Sequence, residues 1–339
     1  MNNFPNFSPN QQNTDELLIM FEVLNKILLI AFALSCQNGF CQDTAGEARA
    51  TLPAAHFRPN TKRVYMAATG SVVFYGASLA ALSNTWYTKY PQSSFHFFND
   101  NNDWLQMDKA GHAFSAYTTG KMSMELWHWA GLSRKQQIWA GGLSGAGFLT
   151  VIEFLDGLSS AWGFSIGDMS ANLAGSGLFI AQQLAWDEQR IQLKFSFHTN
   201  NYGGPELSQR ADALFGRRTV ERMLKDYNGQ TYWISINLKS FAKKSKLPAW
   251  LNMDLGYGAE VMFGGTENVL KDANGNILFD RRDIPRIRKW YLSPDIDLTR
   301  IKTKSRFLKT TFFLLNSLKF PAPSIVFSKK GIEWSWVHF

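Results

Sequence analysis

Ile191-Gln192-Leu193-Lys194-Phe195-Ser196-Phe197-His198 alternates apolar and polar side chains one for one, the period of a strand with one covered face. The segment before it, residues 169–186, carries no charged side chain and holds Ala171-x-x-x-Gly175, two small residues on one helical face. The chain therefore passes from helix to strand near Arg190. This border predicts an α+β fold: a bundle of about four apolar helices over residues 60–189, then a basic, antiparallel β-region over 190–339. The β-region is expected to be either a small barrel or a half-open sheet.

Towards the N-terminus the helical reading repeats. Residues 64–88 hold no charge, and 65–82 read as a helix near membrane length. Residues 136–152 are uncharged and contain Gly141-x-x-x-Gly145, a spacing that lets helices approach closely. Residues 104–126 supply the remaining helix. Such a bundle could lie in a bilayer, on one, or around its own core. Towards the C-terminus, residues 232–238 and 332–339 also alternate, and 251–263, 290–298, 307–315 and 324–327 are further strand candidates between turn signals such as Asn274-Gly275-Asn276. A run of short strands ending in Phe339 resembles outer-membrane β-barrel proteins, the alternative being a soluble β-domain.

Residues 1–42 read as a leader rather than as fold. Lys26 precedes the apolar run 27–35, which is too short to cross a bilayer unaided, so the pattern is that of an export signal, with Met20 as an alternative start. Ala33-Leu34-Ser35-Cys36 is an imperfect lipobox that would leave Cys36 acylated, whereas cleavage after Cys41 would leave no cysteine. On either route no intramolecular disulfide forms. The expected location is periplasmic or outer-membrane.

Charge divides the chain. Residues 1–189 carry 10 Lys+Arg against 14 Asp+Glu, and residues 190–339 carry 25 against 13, giving the net +8. Clusters such as Lys243-Lys244-Ser245-Lys246 and Arg286-Ile287-Arg288-Lys289 suit anionic lipid head groups, an envelope protein partner, or solvated turns. No nucleic-acid motif is present, and an exported protein does not meet nucleic acid.

Three short polar stretches stand out from this apolar background: Asp108-Lys109-x-x-His112, Glu153-x-x-Asp156-Gly157, and Ser165-x-x-Asp168 with Asn172. Spacings of three, four and seven put each set on one helical face. If they converge, four carboxylates meet Lys109 and a histidine that can be neutral. Then one carboxyl keeps its proton, a cation binds, or one acid points to water. A bundle can hold a divalent metal this way, but the usual Glu-x-x-His pair is missing and no metal or cofactor is specified. The architectural reading pairs Lys109 with Asp156 or Glu153, lets Asp168 or Ser165 cap a helix entering at Met169, and leaves Asp108 capping its helix, partly solvated. The enzymatic reading makes His112 or Glu153 a general base and Lys109 the partner of a developing anion. No nucleophile elbow, H-E-x-x-H or phosphate-cradling loop supports the latter. Trp127, His128, Trp129, Trp139 and Trp162 read as interface or core rather than as a ligand cage.

The same residues carry a likeness. The segment from Trp104 through Asp108-Lys109-Ala110-Gly111-His112, then Glu153-Phe154-Leu155-Asp156-Gly157, then Ser165-Ile166-Gly167-Asp168 through Asn172 and Gly175, resembles the YfiM-like predicted periplasmic lipoproteins, domain of unknown function 2279. The order of elements is also similar to VanZ-like membrane proteins, and residues 223–233 resemble longer, Bacteroidetes-type members. The resemblance implies an envelope location and brings no catalytic assignment. The imperfect lipobox departs from the lipoprotein pattern. The expected function is that of a membrane-associated envelope protein with a non-catalytic structural or interaction role. The alternative is a membrane-associated hydrolase or lipid-modifying enzyme using Asp108, His112, Glu153 and Asp168.

Overall fold

The computed structural model describes residues 59–85, 87, 90–272 and 274–338; the leader, Cys36, Cys41 and Phe339 lie outside them. Four long helices come first: α1 (Thr61–Thr85), α2 (Met107–Trp129), α3 (Arg134–Asp156) and α4 (Ile166–Trp186). The turn between α2 and α3 uses Gly131 at φ 83°, and α3 starts where the Ser133 N–H donates to Gln136 Oε1 at 3.0 Å. Helix α4 starts at Ile166, three residues earlier than expected, because Ser165 Oγ accepts the Asp168 N–H at 3.1 Å.

Helices α2, α3 and α4 pack backbone to backbone. A Cβ at Gly145 would stand 2.1 Å from the Ala116 carbonyl oxygen, and one at Gly175 would stand 2.1 Å from that of Ala113. Only glycine permits these crossings. Tyr117, Ile138, Phe179 and Ile180 fill the space that the glycines leave between helices. Helix α1 is an outrigger of this trio. Ala67 packs on Trp129 and Ala130, Tyr75 stacks on Phe148, and much of the remainder faces outward, as with Val72 at 72% exposure. By length and composition alone, α1 and α3 are each long and apolar enough to cross a membrane.

The second half contains an antiparallel sheet of six strands in the order β1-β2-β3-β6-β7-β8, formed by Ile191–Phe197, Gln230–Asn237, Leu251–Glu260, Ile287–Ile296, Ala322–Ser328 and Gly331–His338. Strands β4 (Val269–Lys271) and β5 (Ile277–Asp280) form a separate hairpin. The sheet is open, its order ending at β1 and β8, and does not close into a barrel. Instead, the outer edge of β1 is capped by a short stretch of backbone: the Phe195 N–H donates to Ser317 O, and the Lys319 N–H donates to Phe195 O.

Three helices enter the β-region where none was expected: α5 (Pro205–Phe215), α6 (Thr219–Lys225) and the single turn α7 (Leu238–Phe241). Residues 307–315, expected as a strand, belong instead to helix α8 (Arg306–Leu315). Ser305 Oγ caps its first turn through the Leu308 N–H, and the buried pair Thr310 and Phe313 has helical spacing. A short apolar run reads equally as strand or helix, and here the cap decides.

The sheet and bundle meet along α2. Leu193 of β1 packs against the Tyr117 cluster, Phe114 packs on Phe195 and Tyr232, and the Tyr117 hydroxyl donates to Gln189 Oε1 at 3.1 Å. Gly145→Ala should lower stability by at least the ~1–3 kcal/mol typical of overpacking. Gly147→Ala, with nothing within 4 Å of its added methyl, should be neutral or stabilising by about 0.5–1 kcal/mol through helix propensity alone. Thermal unfolding of the two purified variants side by side checks this.

Candidate functional site

The N-terminal ends of α2 and α4 and the C-terminal end of α3 lie at one end of the bundle, so all eight polar residues singled out in the sequence fall in one cluster. Lys109 Nζ sits 2.7 Å from Asp168 Oδ1 and 2.7 Å from Asp100 Oδ1, with Asp108 Oδ2 at 3.7 Å. It does not pair with Asp156 or Glu153 as expected, because Asp100, from the loop before α2, reaches in beside Asp168. Asp156 accepts instead from the Tyr87 hydroxyl at 2.6 Å. Asp108 accepts from the Tyr227 hydroxyl at 2.6 Å, a contact that ties the cluster to the chain just ahead of β2.

Ser165 connects three elements. Its hydroxyl donates to Asp100 at 2.6 Å, its oxygen caps α4, and its N–H donates to Glu153 Oε2 at 3.3 Å. His112 Nδ1 lies 3.1 Å from Asn172 Oδ1 and 3.5 Å from Glu153 Oε1, while Nε2 lies 3.9 Å from both Asp108 and Asp168. Glu153 Oε1 and Asn172 Nδ2 are buried without a hydrogen bond among the described residues.

Five carboxyls, counting Asp100, share this end of the bundle with Lys109 and His112, so protons are retained. Burial pushes Glu153 up to about 8, with Asp168 and Asp156 adding to the rise and His112 opposing it. Burial and the charge of Asp108 raise Asp168 to about 7. Asp156 rises to about 6, mainly by burial. Asp100 moves down: burial opposes this, but hydrogen bonds from Asp168, Lys109 and Ser165 outweigh it. For His112 burial acts to lower the pKa, and the carboxylates of Asp108, Asp168 and Glu153 overcome it. The cluster is thus an acid–base network that keeps a carboxylic acid at neutral pH.

Asp108, His112 and Asp168 each offer an atom within 4.8 Å of the others, a spacing that could hold a metal ion. Lys109 already presents its ammonium to both aspartates. A divalent cation would have to displace it, which weighs against a resident metal.

A strained turn leads into the site. Trp104, Leu105 and Gln106 all have positive φ, at 47°, 52° and 64°, one left-handed turn directly before α2. Such residues cost about 1–2 kcal/mol each, and the β-region holds them there. The Tyr257 hydroxyl donates to Leu105 O, Arg288 donates to Gln106 Oε1 at 2.7 Å, and the Trp104 N–H donates to Gly265 O at 2.7 Å. The sequence reading missed this turn, and with it Asp100, Tyr87 and Tyr227. Tyr227 did stand in the segment resembling longer family members, whereas Asp100 lay in an Asn- and Asp-rich run with no periodicity to mark it. Of the aromatic residues considered, Trp162 packs edge-on against Tyr87, while His128 bonds Gln137 instead of the cluster.

The raised carboxyls bind their protons more tightly when folded, so their contribution to stability is full below the ordinary pKa near 4 and is lost as pH rises through about 6 to 8. His112, also raised, acts in the same direction above its ordinary 6.5, and Asp100, lowered, acts oppositely in acid. Stability should therefore peak in mildly acidic buffer and fall towards pH 9 by several degrees in Tm. In Glu153→Gln that fall should be visibly shallower, as read by thermal melts across the pH range.

Neither the curated proteins nor the solved structures gave a match to this chain. A family model did. Residues 96–182, which hold the whole cluster apart from Tyr87 and Tyr227, match the family described as predicted periplasmic lipoprotein, DUF2279, in agreement with an exported, periplasmic or outer-membrane location.

Proposed function

We infer that this is a membrane-associated envelope protein whose polar cluster is architectural: it locks α2, α3 and α4 to one another and to the β-region, without turnover of a substrate. The observation that carries the reading is the Lys109 ammonium seated 2.7 Å from both Asp100 and Asp168. A general-acid or anion-binding lysine needs a free approach, and this one is consumed by two internal partners. The remaining polar groups are likewise joined across elements, Tyr227 to Asp108, Tyr87 to Asp156 and Ser165 to Asp100 and Glu153. Polar and ionic contacts that cross elements in this way favour one arrangement of the helices.

A second reading has one observation in its favour. Glu153 Oε1 and Asn172 Nδ2 are buried without hydrogen bonds beside His112, in a cluster where burial pushes Glu153 up to about 8 and neighbouring carboxylates raise His112. A hydrolase or lipid-modifying enzyme would use such a pair for proton transfer.

Replacement separates the two. Lys109→Met should cost about 2 kcal/mol or more by leaving Asp100 and Asp168 uncompensated, seen as a lower Tm and reduced protein level in the envelope. His112→Ala should lower the protein level together with any cellular phenotype. A His112→Ala protein at normal abundance and Tm that has lost the phenotype would overturn the architectural reading in favour of chemistry.

A further inference from the structure

Most side chains on the buried face of the six-stranded sheet are polar. Its register lines up Gln192, Ser235, Asp254 and Ser293 across four strands, and all four are buried. The next row on that face sets Lys194, whose ammonium forms a fully enclosed ion pair with Asp295 at 2.5 Å, beside a buried group of Trp233, Tyr291 and Val326. The opposite face is apolar over two full rows. One row runs Leu193, Ile234, Leu255, Leu292, Ile325, Trp334, and the other Phe195, Tyr232, Tyr257, Trp290, Phe327, Ile332.

Helix α2 and the turn before it cover the β1 and β2 ends of these rows and reach Tyr257 of β3. Further along, Leu255 is 50% exposed, Trp290 56% and Ile332 73%. In water a sheet with one polar and one apolar face turns the apolar one inward. Polar inside and apolar outside is the alternation of strands that face lipid.

We propose that the exposed apolar face of the sheet, from β3 to β8, is seated against the acyl chains of a bilayer, with anionic head groups meeting a basic rim at one end of the strands. Two features favour lipid over a protein partner. Apolar exposure is not confined to the sheet: Val72 and Val73 of α1 and Leu143 of α3 are exposed as well. And the loops at the Asn237 and Ile296 ends of the strands, which lie together because Leu251 pairs with Ile296, carry exposed Lys243, Lys244, Lys246, Lys304 and Arg306. Trp250 and Phe307 stand exposed beside those charges, as expected where chain passes from hydrocarbon to head group.

The proposal rests on the membrane association inferred above and names the surface that makes it. The test uses the full chain with Cys36 and Cys41 replaced by alanine, which also removes any lipid anchor, and single cysteines at Leu255→Cys, Ile332→Cys and, as a control in the polar β4–β5 turn, Asn274→Cys. Each is labelled with an environment-sensitive fluorophore and bound to vesicles of phosphatidylcholine and phosphatidylglycerol. Quenching by acyl-chain spin labels should be severalfold stronger at 255 and 332 than at 274, and quenching by aqueous iodide should be weaker. The triple change Lys243→Glu, Lys244→Glu, Lys246→Glu should reduce partitioning onto phosphatidylglycerol vesicles about tenfold and onto pure phosphatidylcholine little. Vesicle-bound protein whose 255 and 332 labels are as open to iodide as the 274 label would overturn the face while leaving membrane association intact. Labels shielded from both quenchers would overturn it in favour of a protein cover. Failure to bind vesicles at all would overturn the association itself.

Discussion

The bundle depends on one ammonium group. Lys109 brings Asp100, from a loop, and Asp168, from the first turn of α4, to its own position on α2. Without it two carboxyls would face each other at the end of three helices that already touch backbone to backbone. The glycine crossings set how near the helices come. A charge pair at the end of the bundle defines register.

The cluster also reaches outward. Tyr227 precedes β2 and holds Asp108, while Tyr257 and Arg288 of the sheet hold the left-handed turn that starts α2. The two halves of the chain, acidic and basic, are thus mechanically one object at this point, although their compositions differ sharply.

Much of this was legible beforehand. The helix-to-strand border near Arg190 and the close-packing glycines rest on a period or spacing that the sequence displays directly; spacing put each polar motif on one helical face, and folding brought the three faces together. What was not legible rests on contacts between distant segments. Lys109 chose Asp100 over Asp156 because a loop residue without periodicity folded back beside Ser165. Residues 307–315 became a helix because Ser305 caps them, a local bond that outweighs an ambiguous apolar run. The left-handed turn at Trp104–Gln106 could not have been foreseen, since none of its residues favours that conformation and only the sheet stabilises it. The strand alternation was read correctly, but which face turned inward was not a property of any single strand.

That turn has a consequence for how the protein is made. Trp104, Leu105 and Gln106 take up their conformation only against Gly265, Tyr257 and Arg288, which follow some 150 residues later in the chain. An exported polypeptide arrives N-terminus first, so the greasy helices reach the envelope well before the strands that complete them. During that interval the helices lack the contacts that complete them and are exposed to sticking.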